Sequence, residues 1–481
     1  MTITLVIDTF NMNNNGTTIS AMRFAEALSK RGHKVRIVTC GDPAKSGTDP
    51  ETGYEMFYVP EMRIPIASRF AHKQNTLFAK PVRAVLIKAI SGADIVHLYQ
   101  PWPLENAAGK IAKKLGVSTI AAFHVQPENI TYNIGLGWFR PAAHLAYFLL
   151  YLFFYRKFRH IHCPSRFIAA QLRSHGYKAW LHVISNGVHP EFCPGELNVR
   201  HIGDTVKILM VGRLSPEKRQ DVLIRAVRKS KNADRIQLYF AGCGPWEKKL
   251  RKMGKSLSHQ PVFGYYGRQE LISLIRSCDL YVHASDIEIE GISCMEAFSC
   301  GLVPIISDSK QSATTQFALD RNNLFKAGNP SSLAEKIDYW LEDEERLNAA
   351  EAGYARYGRE FRLEQSILRM EHVYKALSIP RKNRYYHGRI FRLLSGLFYR
   401  VIAVPVLYLW AHMMLGARIT GKKNLRHLQG AVTLCNHVHM LDCALVALAL
   451  FPRKVVYTTL PQNLNSIWYG KLVGLLGGVA I

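Results

Sequence analysis

Residues 207–227 read KILMVGRLSPEKRQDVLIRAV. The first five, Lys207–Val211, form the short apolar run of a strand buried on both faces; Gly212 breaks it, and a helical pattern follows. Two cations sit in the turn: Arg213 directly after the strand, and Lys218 five residues on, where the helix begins. A strand end, two positive side chains and a helix N-terminus together make a cradle for a diphosphate. The same residues also read as a solvated basic turn, but a place directly after a buried strand favours the cradle.

Working outward, the pattern repeats. Apolar runs at Ile236–Ala241, Pro261–Tyr265, Leu280–Ala284 and Val303–Ser307 alternate with helical segments, which is the signature of a parallel sheet covered by helices. Upstream, Thr2–Asp8 is a strand, NMNNNG a polar loop, Thr17–Lys30 a helix and His33–Cys40 a second strand. Further strands near Asp94–Leu98, Ser118–Phe123 and Trp180–Ile184 extend this βαβ unit. The fold class is therefore α/β, with two Rossmann-like doubly wound domains, at 1–190 and 191–378, joined by the Gly- and Pro-containing NGVHPEFCPGE, Asn186–Glu196. The crevice between the sheets is the natural ligand site. Leu363–Leu377 closes the second domain as a crossover helix, a basic linker occupies 379–388, and a third unit spans 389–481.

Composition narrows the partners. At 481 residues, 48% apolar and 20% charged, the chain suits roughly three domains of about 150 residues. Lys and Arg number 62 against 36 acids, a net +26, which favours anionic partners. The excess concentrates in residues 378–481, where 13 Lys or Arg face a single acid, Asp442. That end also carries the apolar run Val401–Ala417, and basic residues flanking an apolar stretch read as attachment to an anionic membrane surface rather than to nucleic acid. Nine scattered cysteines without a CxxC pair suggest reduced thiols, and the N-terminus lacks the basic region and cleavage site of a signal peptide. A cytoplasmic location, peripheral or monotopic at the membrane face, is expected.

The second chemical signal is HASDIEIEGISCMEAFSCGLVPIIS, residues 283–307, with Glu288 and Glu296 eight apart and Gly291 between them. Carboxylates accept hydrogen bonds from ribose and hexose hydroxyls, and a glycine admits close backbone approach. With GRLSPEK at 212–218, AGCGPWEKKL at 241–250, NNNGTTIS at 13–20, AAFH at 121–124, CPSRF at 163–167 and SNGVHPEF at 185–192, the chain resembles the retaining glycosyltransferases of family 4 over about residues 1–378. That resemblance implies the GT-B fold, two Rossmann-like domains facing each other across a cleft, and a nucleotide-sugar co-substrate, most simply UDP-glucose.

Carried over by position, Gly212, Arg213 and Lys218 would hold the diphosphate and stabilise the departing nucleotide, and Glu296 would hold the ribose. Glu288, with the backbone of Gly291, Ile292 and Ser293, would orient the transferred sugar. Gly16 would let the first-domain loop approach the phosphates, and His124 would lie near sugar and acceptor, although a histidine after a strand is also a common structural residue. The family's retention is attributed to front-face attack with help from the leaving phosphate, so no general base is assigned. No DxD motif precedes a strand end; metal-independent transfer without a tightly bound cofactor is expected. Arg219 departs from the glycine that relatives often carry after the lysine. GCG at 242–244 lacks the third glycine of a dinucleotide fingerprint and reads as a tight turn.

Two segments bear on the acceptor. Gly135–Tyr155, GLGWFRPAAHLAYFLLYLFFY, is followed by RKFRH; its uninterrupted apolar part is too short to span a bilayer, which leaves an interfacial helix or a buried core helix. In the third unit, LCNHVHMLDCALVALAL places His437 and Asp442 in an H-x4-D pattern, a spacing at which a carboxylate can orient an imidazole as general base. This part resembles the glycerolipid acyltransferases of the lysophosphatidate acyltransferase type, whose later blocks would fall after Ile481. The domain reads as partial, and acyl-CoA or acyl-carrier protein would be used only if it is active. The expectation is a membrane-associated enzyme that moves a hexose to a lipid hydroxyl such as that of diacylglycerol. An acyltransferase, alone or within a longer bifunctional chain, and an inactive membrane-binding scaffold are the alternatives.

Overall fold

The computed structural model describes residues 1–10, 16–63, 65, 68, 76–133, 135–137, 139–195, 203–378, 389–418, 420, 442–455, 457–459, 472, 476 and 478–480. These fall into two compact units, Met1–Ser378 and Ile379–Ile481.

The first unit holds two sheets. Strands β1 (Thr2–Val6), β2 (Lys34–Cys40), β3 (Gly47–Thr48), β4 (Glu55–Val59), β5 (Ile95–Leu98), β6 (Ser118–Ala122), β7 (His160–Cys163) and β8 (Trp180–Val183) lie in the order β3-β4-β2-β1-β5-β6-β7-β8. All neighbours are parallel except β3 and β4. The helices among them are α1 (Gly16–Lys30), α2 (Arg83–Ile90), α3 (Pro103–Leu115), α4 (Pro127–Asn133), α5 (Arg140–Phe153) and α6 (Arg166–Ser174).

The second sheet runs β11-β10-β9-β12-β14-β16, all parallel. Its strands are β9 (Val206–Val211), β10 (Ile236–Ala241), β11 (Val262–Gly264), β12 (Leu280–His283), β14 (Val303–Ser307) and β16 (Leu324–Phe325); β13 (Ile287–Glu288) and β15 (Gln311–Ser312) form a separate two-stranded ladder. Helices α7 (Gln220–Val227), α8 (Glu247–Gly254), α9 (Arg268–Ser277), α10 (Ile292–Ser299), α11 (Pro330–Leu341) and α12 (Glu344–Gly358) cover it. Ile208, Leu209, Leu238, Phe240, Leu280, Val282, Ile305 and Ile306 are all inaccessible or nearly so, which is why these strands read as unbroken apolar runs.

In each sheet the strand order reverses once, between β1 and β5 and between β9 and β12. Ligands of open α/β sheets bind outside the carboxyl ends of the strands at that reversal. The residues that follow these strands, Phe10 after β1, Gln100 after β5 and Gly212 after β9, all line one cleft.

The last helix of this unit, α13 (Leu363–Ser378), follows the second domain in the chain but packs on the first. Leu363, Ile367, Met370, Tyr374 and Leu377 join Ile3, Leu5, Phe24 and Ile37 in one apolar cluster. The chain therefore passes between the domains twice, at neighbouring points: Val188 N donates to Phe361 O at 2.8 Å and Leu363 N to Val188 O at 2.9 Å. Gly187, at φ +73°, permits this crossing, since a Cβ there would sit 2.5 Å from Leu363 Cα.

In the second unit α14 (Arg389–Phe398), a π-helical turn at Tyr399–Ala403 and α15 (Val404–Leu415) follow one another, with α16 (Asp442–Leu450) and the parallel pair β17 (Tyr457–Thr459) and β18 (Gly478–Ala480). Tyr399, Val404, Ala411, Ala447 and Leu448 form its core cluster. The 23 residues Leu393–Leu415, with an 18-residue window of mean hydropathy 1.7, are long and apolar enough to cross a membrane, and Leu393, Val401, Val406, Met413 and Met414 among them are exposed. His437 and the linker 379–388 lie outside the described residues; Asp442 begins α16, but its side chain lies outside them too.

Candidate active site

The cleft has a volume of about 1530 Å³. Every glycosyl-transfer residue expected from the sequence lines it: Gly16, His124, Gly212, Arg213, Lys218, Glu288, Gly291, Ile292, Ser293 and Glu296.

Its second-domain wall is built by backbone contact. Gly212 N donates to Ala241 O at 2.9 Å, Leu214 N to Cys243 O at 3.0 Å and Trp246 N to Leu214 O at 3.0 Å. A Cβ on Gly242, at φ +150°, would lie 2.1 Å from Gly212 O, and one on Gly244 would lie 2.3 Å from Leu214 O. The GCG sequence is thus the bed on which the GRL loop rests, in keeping with the tight-turn reading. Gln220 Nε2 donates to Arg213 O at 2.8 Å and fixes the loop from the other side.

Lys218 does not start the helix; it ends a 3-10 turn, Pro216–Lys218, two residues before α7. The intervening Arg219 explains the departure from glycine noted above, because it adopts the left-handed conformation at φ +57°. Such a conformation costs a residue with a Cβ about 1–2 kcal/mol. Two ion pairs offset this: Arg219 Nη1 lies 2.9 Å from Asp286 Oδ2 and Nε 3.3 Å from Asp221 Oδ1.

Lys218 Nζ donates to Glu288 Oε1, and His283 Nε2 lies 3.0 Å from the same oxygen. The Tyr281 hydroxyl lies 3.2 Å from His283 Nδ1 and 3.1 Å from Ser293 Oγ. Burial alone would raise the Glu288 carboxyl, but the Lys218 ammonium and His283 outweigh it and hold the group well below the usual carboxylate range. Glu288 is an anion at neutral pH. Gly291, at φ +88°, has no room for a side chain: its Cβ would lie 2.2 Å from Thr314 Cγ2. From it α10 begins, and the first amides of a helix have no intrahelical acceptor, so those of Ile292 and Ser293, two residues that line the cleft, are unclaimed by the helix.

Three partners in this wall escaped the sequence reading. Arg23, from α1 of the first domain, places Nη2 2.5 Å from Glu296 Oε1. Glu290, given no role by the motif reading, accepts from Asn186 N at 3.1 Å and Asn186 Nδ2 at 2.6 Å. Burial pushes its carboxyl up to about 7, against hydrogen bonds from Ser185 and Asn186. His283 carries the third contact, already described. Asn186 and Glu290 both lie within the motifs singled out, so proximity to them was the available signal; nothing in the spacing of α1 marked Arg23.

The first-domain wall is different. His124 follows β6, is 7% exposed, stacks on Tyr99 with ring centroids 5.7 Å apart and meets His162 edge-on at 5.5 Å. Burial, reinforced by His162, drives its pKa well below the ordinary histidine value, so the ring is neutral. Its Nε2 is buried and has no hydrogen-bond partner among the described residues. Part of this wall is aromatic and apolar, Phe10, Tyr54, Met56, Phe78 and Trp102, with Phe78 and Trp102 edge-on at 5.3 Å, and part is polar, with Glu26, Lys30, Asp49 and Glu51. Gly16 opens α1 with nothing within 4 Å of a Cβ built on it.

Outside the cleft, α5 settles one alternative. Of its residues only Tyr147 is buried, held by Glu128 Oε2 at 3.1 Å, while Leu145, Phe148, Leu149 and Phe153 are 40–64% exposed. It is not a core helix.

Two Rossmann-like sheets closing on one such cleft define a GT-B glycosyltransferase. Comparison with known proteins agrees: residues 14–192 match the profile of Glycosyltransferase Family 4 and residues 198–356 that of Glycosyl transferases group 1, so the chain carries both domains and is a transferase enzyme. It is 28% identical over 326 residues to the GDP-mannose-dependent alpha-mannosyltransferase of Corynebacterium glutamicum, covering 64% of this chain and 72% of that one. It is 26% identical over 328 residues to the alpha-monoglucosyldiacylglycerol synthase of Streptococcus pneumoniae, covering 64% and 71%. Among solved structures, Anabaena HepE in complex with UDP-glucose superposes with TM-score 0.61 at 15% identity, over 78% of this chain and all of that one, which is a likeness of fold.

Proposed function

We propose that this glycosyltransferase moves a hexose from a nucleotide-sugar, UDP-glucose, to the hydroxyl of a membrane lipid such as diacylglycerol, with retention at the anomeric carbon. The observation that carries the reading is the convergence of Arg213, Lys218, Glu288 and Glu296 with the turn at Gly291–Ser293 on a single cleft whose opposite wall carries the aromatic and apolar stretch Phe10, Tyr54, Met56, Phe78 and Trp102. UDP-glucose is the ligand of the Anabaena neighbour, and a diacylglycerol glycolipid is named in the pneumococcal relative.

In this reading Arg213 and Lys218 neutralise the diphosphate as the bond from the anomeric carbon to its oxygen breaks, and they favour the charge that develops there. The acceptor oxygen forms its bond to the same carbon on the same face, and its proton passes to the departing phosphate. Glu296 accepts hydrogen bonds from the ribose. Glu288 and the amides of Ile292 and Ser293 orient the hexose, Gly16 leaves space for the phosphates, and neutral His124, whose ring lines the cleft, lies near sugar and acceptor. The Lys218–Glu288 pair then has to open as phosphate claims the lysine, and His283 keeps Glu288 compensated.

The outward face of α5, followed by Arg156, Lys157 and Arg159, supports a peripheral seat on an anionic bilayer, as does the exposed apolar surface of Leu393–Leu415. The test of the main reading is UDP or GDP release from UDP-glucose and GDP-mannose with vesicles of diacylglycerol and anionic phospholipid. UDP release from UDP-glucose that requires diacylglycerol is expected; no release with either nucleotide-sugar would overturn the reading.

A further inference from the structure

Arg23 joins the two walls of the cleft. It lies on α1, two turns beyond Gly16, and is 7% exposed. Its Nη2 meets Glu296 Oε1 at 2.5 Å, and its Nη1 donates to Gly187 O at 3.4 Å, the carbonyl of the glycine at the domain crossing. One turn earlier on the same helix face, Ser20 Oγ donates to Asn186 Oδ1 at 2.5 Å, and Asn186 in turn holds Glu290. Side chains three apart on α1 therefore tie the first domain to Glu290, just before Gly291, and to Glu296 on α10.

The pairing has a physical requirement behind it. A carboxylate buried as Glu296 is, 6% exposed, needs a counter-charge, and among the described residues no other side chain hydrogen-bonds to it. A guanidinium spread between two fixed acceptors also sets the plane of the carboxylate, which a point charge on a flexible stem does not. One carboxylate oxygen is thereby taken, and the residue still lines the cleft.

We propose that Arg23 is the positioning residue for the ribose-binding carboxylate: held from the opposite domain, Glu296 presents a preset acceptor to the ribose hydroxyls. This rests on the assignment of Glu296 to the ribose made above. Recognition of the sugar donor by the second domain then depends on contact with the first, because the group that reads the ribose is oriented by α1. A nucleotide that uses Glu296 in return favours the joined arrangement of the two domains.

The experiment is calorimetric titration of the full chain with UDP and GDP, each beside its 2′,3′-dideoxy counterpart, against the wild type, Arg23→Met, Arg23→Lys and Glu296→Gln, with thermal unfolding of each. The wild type is expected to prefer the ribonucleotide by about 10-fold or more, in line with leaving a buried polar group unpaired. Arg23→Met should bind both forms with the weaker affinity, Arg23→Lys should discriminate to an intermediate degree, and in turnover KM for the sugar donor should rise more than kcat falls. A purely structural Arg23 would move the melting temperature and leave the discrimination alone. Wild-type discrimination in folded Arg23→Met or Arg23→Lys overturns the proposal while the ribose assignment stands. Binding of neither ribonucleotide, equal binding of ribo- and dideoxy forms by the wild type, or full discrimination by Glu296→Gln overturns the assignment and the proposal together.

Discussion

The two walls of the cleft are made of different materials. On the second-domain side each charged group is engaged: Lys218 and His283 on Glu288, Arg23 on Glu296, Asn186 on Glu290, Asp286 and Asp221 on Arg219. The first-domain side combines an aromatic and apolar stretch, Phe10, Tyr54, Met56, Phe78 and Trp102 with a neutral imidazole beside it, and a polar margin that includes Glu26, Lys30, Asp49 and Glu51. Ionised groups held in place by one another discriminate by geometry and charge, whereas an aromatic wall offers area and shape. In the proposed reading the charged side takes the diphosphate and sugar rings, and the aromatic stretch takes the apolar part of the acceptor.

The sharpest way to break this contrast is Lys218→Ala. Removing one of the two cations on the diphosphate should lower kcat/KM by about 100-fold, near 2.7 kcal/mol of transition-state stabilisation, with KM for the lipid unchanged. A second signature follows from the pairing. With the ammonium gone, burial of Glu288 is opposed by His283 alone, so its carboxyl rises from its depressed position and the acid limb of the pH–rate profile moves to higher pH. Initial rates from pH 4 to 8 measure both. An unchanged acid limb would mean that Glu288 takes no part in turnover.

Trp102→Ala probes the opposite wall and should act in the opposite way. Loss of a partly buried indole from an apolar surface amounts to roughly 1.5 kcal/mol, or about 10-fold in the apparent affinity for lipid. The affinity for UDP should remain that of the wild type. A rise in KM for the sugar donor equal to that for the lipid would erase the division of labour between the walls.

The walls also differ in how far the sequence disclosed them. The second-domain wall is local: GRLSPEK follows one strand and EIEGISCME another, and each glycine stands where backbone meets backbone, as Gly242 against Gly212 O shows. Contacts of that kind leave a spacing that can be read. Arg219 was noticed as an exception for the same reason, and its left-handed φ accounts for it. The first-domain wall gathers Phe10, Phe78 and Trp102 from separate connections and Met56 from β4, with no periodicity to link them. Arg23 was hidden by distance, since its partner lies 273 residues along the chain. The apolar segment of α5 could be read as buried or interfacial until its outward Leu145, Phe148 and Phe153 were placed. Leu363–Leu377 was rightly read as a helix, but its docking on the first domain depends on the crossing at Val188, which only the tertiary structure reveals.

That docking carries the smallest expected effect, through Glu371. On α13 it accepts from Arg31 Nε at 2.5 Å, Arg31 Nη2 at 3.0 Å and His33 Nε2 at 2.8 Å, joining the returning helix to the end of α1. The hydrogen bond from Arg31, followed by that from His33, pulls its carboxyl down to about 2 against the opposing effect of burial. A carboxyl whose pKa is depressed on folding contributes stability above its unfolded value, here 4.5, and loses it as pH falls toward about 2. Glu371→Gln should therefore melt a few degrees lower at pH 7, for a loss of roughly 1.5–3 kcal/mol from a charge-assisted hydrogen bond, and the deficit should close between pH 4.5 and 2. The difference between variant and wild type isolates this residue, because groups common to both cancel, including Asp8, which burial pushes up to about 6. Neither wall of the cleft contains Glu371, so kcat/KM at neutral pH and the affinity for UDP should stay within twofold of the wild type. A larger loss of activity would show that the seat of α13 sets the distance between the two walls, and that the apolar and charged sides are less independent than their materials suggest.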